Sequence, residues 1–224
     1  MKRAFAVAVM VAALSWAQVA MAQSTPAGAA GAAEPTVSFF NIGVVAGAAA
    51  VENVGIVGGV EAAFRLKSRL DVVVDGGWIQ DVVTRRKIDQ TAVLAQYIQT
   101  TRGVTASSEI EAPAWYASAG LRWVFERDGA LRPYVSGQVG VARVEYKPTF
   151  IVGGTAVANV ADYGVTLGSD LSGTSNNLTY GGGAGVILVK GAWYFDLGGR
   201  VTRIQTDGQP TTVGRVTIGV GRRF

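Results

Sequence analysis

The sequence predicts an all-β fold: a transmembrane antiparallel up-and-down β-barrel of eight strands, following a cleaved signal peptide. Three observations predict it. In eight segments, alternate residues form an apolar stripe with no charge before Arg222, although 16% of the chain is charged. The complementary residues of the same segments hold the strand charges and many glycines. The amino terminus reads as an export signal. A period of two belongs to strands, because successive side chains leave opposite faces of a sheet. A charge-free stripe is what hydrocarbon demands, since arginine or lysine at a bilayer midplane costs roughly 2–4 kcal/mol.

The export signal comprises Lys2 and Arg3, an apolar run from Ala4 to Leu14 and the small-residue pattern Ala20-Met21-Ala22. Ser15 and Gln18 interrupt the run, which argues against a retained anchor helix. Residues 1–22 are therefore expected to be cleaved. Residues 23–36 are mostly Ala, Gly, Pro, Ser and Thr with the single acid Glu34, and read as a flexible periplasmic lead-in. The lead-in has no aromatic or charge cluster with which to grip a cell wall. Residues 37–224 are left for one outer-membrane barrel. The chain has no cysteine and no histidine, which removes disulfides, zinc–thiolate sites and imidazole chemistry. No catalytic residue, metal site or cofactor is assigned. The formal net charge of +4 falls to +2 once Lys2 and Arg3 leave, and gives no sign of a nucleic-acid partner.

Strand one, about Val37 to Ala46, sets Phe40, Ile42, Val44 and Ala46 against Asn41 and Gly43. Strand two, about Val54 to Leu66, opposes Val54, Ile56, Gly58, Val60, Ala62, Phe64 and Leu66 to Gly55, Gly59, Glu61 and Arg65. Lys67-Ser68-Arg69 turns the chain into strand three, where Leu70, Val72, Val74, Gly76 and Trp78 oppose Asp71, Asp75 and Gly77. In strand four, Trp115, Ala117, Ala119, Leu121, Trp123 and Phe125 oppose Tyr116, Ser118, Gly120 and Arg122. After a turn at Arg127-Asp128-Gly129, strand five sets Val135, Gly137, Val139 and Val141 against Ser136, Gln138, Gly140 and Ala142. Strand six opposes Leu178, Tyr180, Gly182, Ala184, Val186 and Leu188 to Thr179, Gly181, Gly183 and Gly185, and Lys190-Gly191 follows as a turn. Strand seven sets Phe195, Leu197, Gly199 and Val201 against Tyr194, Asp196, Gly198 and Arg200. The last strand sets Val216, Ile218, Val220 and Phe224 against Arg215, Thr217, Gly219 and Gly221.

This reading places short turns after strands two, four and six and longer connections after strands one, three, five and seven, the asymmetry of outer-membrane barrels. The two longest connections run from about Asp81 to Pro113 and from about Tyr146 to Asn176, and function is expected there. In the first, Asp89 is expected to cap a short helix whose apolar face is Val93, Leu94, Tyr97 and Ile98. A second hairpin, or extra strands giving ten, is the alternative. Arg85, Arg86 and Lys87 enter that connection at the outer rim, where they are positioned to contact lipopolysaccharide phosphates; a solvated charge run is the competing reading. Trp78, Trp115, Trp123, Phe125, Phe195 and Phe224 lie toward the stripe ends and are read as an aromatic girdle.

The stripe opposite the apolar one carries Glu61, Asp71, Asp75 and Asp196 together with Arg65, Arg122, Arg200 and Arg215. Eight strands leave room only for side chains, so this balanced set predicts a salt-bridged plug, with a narrow ion path as the alternative. Asp71 and Asp75 share a face, but four residues along a strand separate them by roughly 13 Å, beyond the spacing of a catalytic carboxylate pair. Gly181-Gly182-Gly183-Ala184-Gly185 lacks the helix start or Gly-Lys-Ser/Thr ending of a phosphate loop, and is read as curvature and room for Tyr and Arg inside.

Arg132-Pro133-Tyr134-Val135 with Gly137 and Gly140, and Asp196-Leu197-Gly198-Gly199-Arg200-Val201, resemble the small eight-stranded outer-membrane barrel family that includes OmpA-like and OmpX-like proteins. The resemblance spans roughly Val37 to Phe224, and terminal Phe224 resembles that family's carboxy-terminal assembly signal. It implies adhesion, stability or host-contact roles on a common scaffold, with outer-membrane lipid and the outer-membrane assembly machinery as partners. Two departures stand out: Arg222 sits where the family pattern usually has an aromatic residue, and no peptidoglycan-binding domain follows the last strand. Lipid-modifying barrel enzymes rely on a histidine, which this chain lacks.

The resulting expectation is a non-enzymatic, integral outer-membrane barrel whose lumen is plugged and whose external loops contact the envelope surface or extracellular partners. A narrow ion channel and a soluble exported lipocalin-like binding barrel are the alternatives. Alternation alone does not separate a membrane barrel from a soluble one. The export signal, Phe224, the aromatic stripe ends and a polar stripe without lysine favour lipid outside.

Overall fold

Alternating β-branched and small residues carry most of the chain into strands. The computed structural model describes residues 39–157, 160–168, 171–206 and 210–224, all within the unit Ser38–Phe224. The expected signal peptide 1–22 and lead-in 23–36 lie outside the described residues. The strands are β1 Phe40–Ala50, β2 Val54–Lys67, β3 Leu70–Ile79, β4 Ala106–Glu111, β5 Ala114–Val124, β6 Leu131–Val152, β7 Thr155–Val157, β8 Gly173–Lys190, β9 Trp193–Gln205 and β10 Thr211–Arg223. Among the described residues one α-helix, α1, spans Arg85–Arg102.

Eight strands pair antiparallel in the order β1-β2-β3-β5-β6-β8-β9-β10, and β10 pairs back onto β1 from Asn41↔Arg223 to Ala50↔Gly214. Each of these strands thus finds a partner on both edges, which satisfies its backbone groups without water. The other two strands, β4 and β7, both pair with the far end of β6, from Glu111↔Lys147 to Ala106↔Val152 and from Phe150↔Val157 to Val152↔Thr155. The extra strands weighed as an alternative therefore exist, but they extend β6 beyond the ring. Gly153 and Gly154, with φ of 60° and 83°, supply the two positive angles that a two-residue hairpin between β6 and β7 requires.

Short turns do follow β2, β5 and β8. The expected longer connections after the first and seventh ring strands are corrected: β1 runs on to Ala50 and leaves only Val51–Asn53 before β2, and β9 runs to Gln205, close to Thr211. The small residues Gly47 to Ala50 lack the hydrophobic contrast that marks a strand, so their pairing with β2 and β10 decides the matter. The second long connection also shrinks, because β6 and β8 stay paired to Tyr146↔Gly173.

α1 starts earlier than expected. Thr84 precedes it, without a side-chain cap bond, and Asp89 lies inside the helix, 3.5 Å from Arg85 one turn back. Gly103, at φ 66°, ends it in the left-handed conformation and donates its N–H to the Gln99 carbonyl at 2.9 Å. The buried face is Thr91, Ala95 and Ile98 with Leu94 beside them, whereas Val93 and Tyr97 are 64% and 52% exposed. The correction has a physical cause. The Thr91 hydroxyl donates back to the carbonyls of Lys87 and Ile88, so a polar side chain enters the packed face with its hydrogen bond made. That face packs with Phe150, Val152, Val160 and Val165.

A second apolar cluster joins inward residues of the ring, Val57, Ile79, Val144, Ile204 and Val213 among them, to Val82, Val83, Ile110 and Ala112 from the first long connection. The end of the ring from which the long connections leave is thus filled by aliphatic side chains.

Candidate functional site

The ring's inward residues form layers, because the strand period of two places every second residue of each strand there. At mid-height, β2 supplies Glu61, β3 Asp75, β5 Arg122 and β9 Arg200. Arg122 donates to Glu61 through Nη2, while Arg200 donates to Glu61 Oε2 at 3.2 Å and to Asp75 Oδ2 at 2.6 Å. Glu61, Asp75 and Arg122 are almost fully buried. Ser118 donates its hydroxyl to Asp75, and the Arg122 guanidinium lies 4.6 Å from the centre of the Tyr134 ring. Two arginines and two carboxylates thus hold one another, the condition under which buried charges are tolerated.

The expected mutual pairing of all eight charges is corrected for the remaining four. Asp196 sits 3.0 and 3.1 Å from the Tyr134 hydroxyl, which donates to its carboxylate. Arg215 lies 4.5 Å over the Tyr116 ring and reaches Thr202 Oγ1 at 3.4 Å. Asp71 pairs with Arg127 at 2.5 Å, although Arg65 stands opposite it in the strand register. Arg65 itself has no ion pair within 4.0 Å among the described residues. Aromatic faces and hydroxyls substitute for counter-ions that charge counting alone would require. Asp71 and Asp75 are each held by a different arginine, so no carboxylate pair forms.

Sequence reasoning missed Arg127, which it assigned to a turn, and Tyr134, Tyr116 and Ser118 as partners within the network. The last two stood on the polar stripe and were legible by register; Arg127 carried no such signal. Glycine makes the room. A Cβ on Gly185 or Gly198 would meet the Tyr134 hydroxyl at 2.6 or 2.7 Å, so those positions let the tyrosine cross toward Asp196.

The opposite face is apolar and uncovered: Val139, Val216 and Ile218 are 63%, 61% and 66% exposed. A soluble lipocalin-like barrel would require the reverse, with this stripe inside and the charges in water. Trp78 stands opposite Trp115 near the long-connection end, while Trp123, Phe125, Phe195 and Phe224 lie toward the short-turn end and are exposed. Phe40 joins that end, its ring centre 4.8 Å from Phe64 and 5.9 Å from Phe224. From Trp115 to Phe125 is about 34 Å along an extended strand. At the usual tilt of barrel strands that is about 26 Å of height, close to the apolar band of an outer-membrane barrel.

Arg85, Arg86 and Lys87 form the first turn of α1. Arg85 and Arg86 are exposed, and the Lys87 ammonium lies 5.2 Å from the Tyr146 ring centre. No acid shares that turn, so three cations face the positive end of the helix dipole, an arrangement that helix stability alone disfavours. Among the described residues no group of three His, Cys, Asp or Glu side chains is placed to hold a metal ion. No helix among them is long and apolar enough to cross a membrane.

No family model and no curated protein matches the chain. Among solved structures it is similar to Neisserial surface protein A, at 15% identity and a TM-score of 0.53, over 84% of this chain and 98% of that one. It is also similar to the outer membrane protein OprG from Pseudomonas aeruginosa, at 12% identity and a TM-score of 0.47 over 83% and 95% of the two chains. Ail, the attachment invasion locus protein of Yersinia pestis, follows at 14% identity and 0.45 over 83% and 96%. The first likeness is one of fold: a mostly antiparallel β-sheet like that of small outer-membrane barrel proteins, here with salt bridges inside.

Proposed function

We propose that this chain is a non-enzymatic, integral outer-membrane barrel of eight membrane-crossing strands, with a lumen blocked by its ion-paired network. Its external connections, led by α1 and the β4–β6–β7 extension, contact the envelope surface or a partner outside the cell. The observation that carries the reading is the inverted burial pattern: Glu61, Asp75 and Arg122 lie inside while Val139, Val216 and Ile218 face out. Water gives no reason for that arrangement, and hydrocarbon does. In this reading residues 1–22 are removed on export, residues 23–36 lie in the periplasm, and Phe224 serves recognition by the outer-membrane assembly machinery. Arg85, Arg86 and Lys87 meet lipopolysaccharide phosphates, a role supported by the exposure of Arg85 and Arg86 and by a first turn of α1 that carries no acid.

The test is site-directed labelling. Fluorophores at Leu121, Val139 and Ile218 in the membrane-embedded protein are quenched by lipid-borne quenchers and spared by aqueous iodide. Efficient iodide quenching at these three sites overturns the reading. Planar-bilayer recording addresses the blocked lumen: stable unitary currents from the wild-type protein, abolished by substituting Arg122 or Asp75, would replace the plug with a channel.

A further inference from the structure

At the short-turn end, below the Glu61–Arg200 layer, the ring opens into a small, solvent-open recess. Arg65 of β2, Arg132 of β6, Arg223 of β10 and Arg127 of the β5–β6 turn line it, with Asp71 and Arg122 deeper in. The charge there is unbalanced. Arg122 is held by Glu61, and Asp71 is engaged by Arg127. The Arg132 Nε donates to the Gly129 carbonyl at 3.0 Å, a bond that orients the side chain without neutralising it. Among the described residues, neither Arg65 nor Arg223 has a carboxylate within 4.0 Å. Arg65, Arg127, Arg132 and Arg223 are close enough to act on one another as like charges, while Asp71 acts on Arg65 and Asp128 on Arg132 in the opposite sense. The buried Nε atoms of Arg65 and Arg127 also lack a hydrogen-bond partner.

Like charges gathered in a concave mouth with low-dielectric walls focus a positive potential outward, and unsatisfied guanidinium donors offer planar forks to oxyanions. We propose that this recess is an anion site that takes a phosphate group, seated at the mouth between Arg65 and Arg223 with Arg132 as a third contact. Phosphate suits it because three or more acceptor oxygens can engage guanidiniums from different strands at once, where a chloride ion cannot. The group can arrive free in solution or on a lipid headgroup at the rim, where Lys67 and Lys190 are also exposed. The site is at the opposite end of the strands from α1, and does not depend on the role proposed for that helix.

The probe is inorganic phosphate, titrated by calorimetry into the full chain in maltoside detergent at constant ionic strength. Saturable binding is expected, weakened about tenfold or more in the R65Q/R223Q variant and less in R223Q alone, since charge-assisted bonds to the anion are lost. An R85Q control at the other end binds as wild type. Folding of each variant is checked by its heat-dependent gel mobility, and R223Q alone carries the comparison if the double variant does not fold. Phosphatidylglycerol added to the micelles, set against a neutral galactolipid, separates the sources. Competition with inorganic phosphate assigns the site to a headgroup, and its absence assigns it to free phosphate. No saturable heat from the wild type, or equal affinity in folded R65Q/R223Q, overturns the proposal.

Discussion

Replacing Arg122 by Met removes the most heavily engaged charge of the interior. Arg122 is 2% exposed, donates to Glu61 and lies over the Tyr134 ring. In its absence Glu61, itself 4% exposed, keeps only Arg200 at 3.2 Å. Removing one member of a buried pair typically costs 3–5 kcal/mol, because the other charge is left without full compensation. The surviving contact to Arg200 pulls the expected loss to the lower end, about 3 kcal/mol, or a fall of roughly 150-fold in the folded-to-unfolded ratio. Removing both charges in E61L/R122M relieves that penalty, since Arg200 retains Asp75 at 2.6 Å. The double variant is therefore expected to be less destabilised than the sum of the single ones by about 1.5 kcal/mol or more. Reversible urea unfolding of protein refolded into lipid vesicles, followed by tryptophan fluorescence, measures all three. A loss below about 1 kcal/mol for R122M, or strict additivity in the double variant, refutes the coupled plug.

Ile218→Arg places a charge on the outward stripe and is expected to cost roughly 2–4 kcal/mol in the same vesicle assay; a neutral result would mean that the stripe does not meet hydrocarbon. Tyr134→Phe deprives buried Asp196 of its hydroxyl donor and is expected to cost about 1–3 kcal/mol, an effect checked by the shift in urea midpoint. Ile98→Ala hollows the contact between α1 and the β6 extension by about 2–5 kcal/mol. Because that layer stands outside the ring, the loss should appear as faster proteolysis within α1 with the ring's unfolding midpoint unchanged; a cooperative loss of the whole fold would show that the two are one unit. D75A/R200A opens the mid-height layer, and planar bilayers should then carry unitary currents absent from the wild type.

Most ring strands were legible because their two faces differ chemically: Val216, Ile218 and Val220 against Arg215, Thr217 and Gly219 define a phase that no other register satisfies. Where contrast faded, so did legibility. Gly47 to Ala50 looked like connection and are strand, because their partners on β2 and β10 supply what their side chains do not. The face of α1 was half legible, since the rule that counts only apolar residues passed over Thr91, whose hydroxyl is satisfied within the helix. β4 and β7 gave no clear sequence signal. They exist as strands because the far end of β6 offers them an edge.

Of the interior, the sequence alone determined the grouping: the strand period puts Glu61, Asp71, Asp75, Arg122, Asp196, Arg200 and Arg215 on the stripes opposite the apolar ones, and the folded ring buries those stripes. Partnership was decided only by the tertiary structure. Glu61 and Arg200 are neighbours because β2 and β9 face each other across the ring, with β1 and β10 between them on one side. Arg127 displaced Arg65 from Asp71 because a turn side chain can fold back under the strand ends. The physical reason is range. Alternation is a property of consecutive residues, whereas an ion pair across a barrel depends on strand stagger and on which side chains the glycines leave space for.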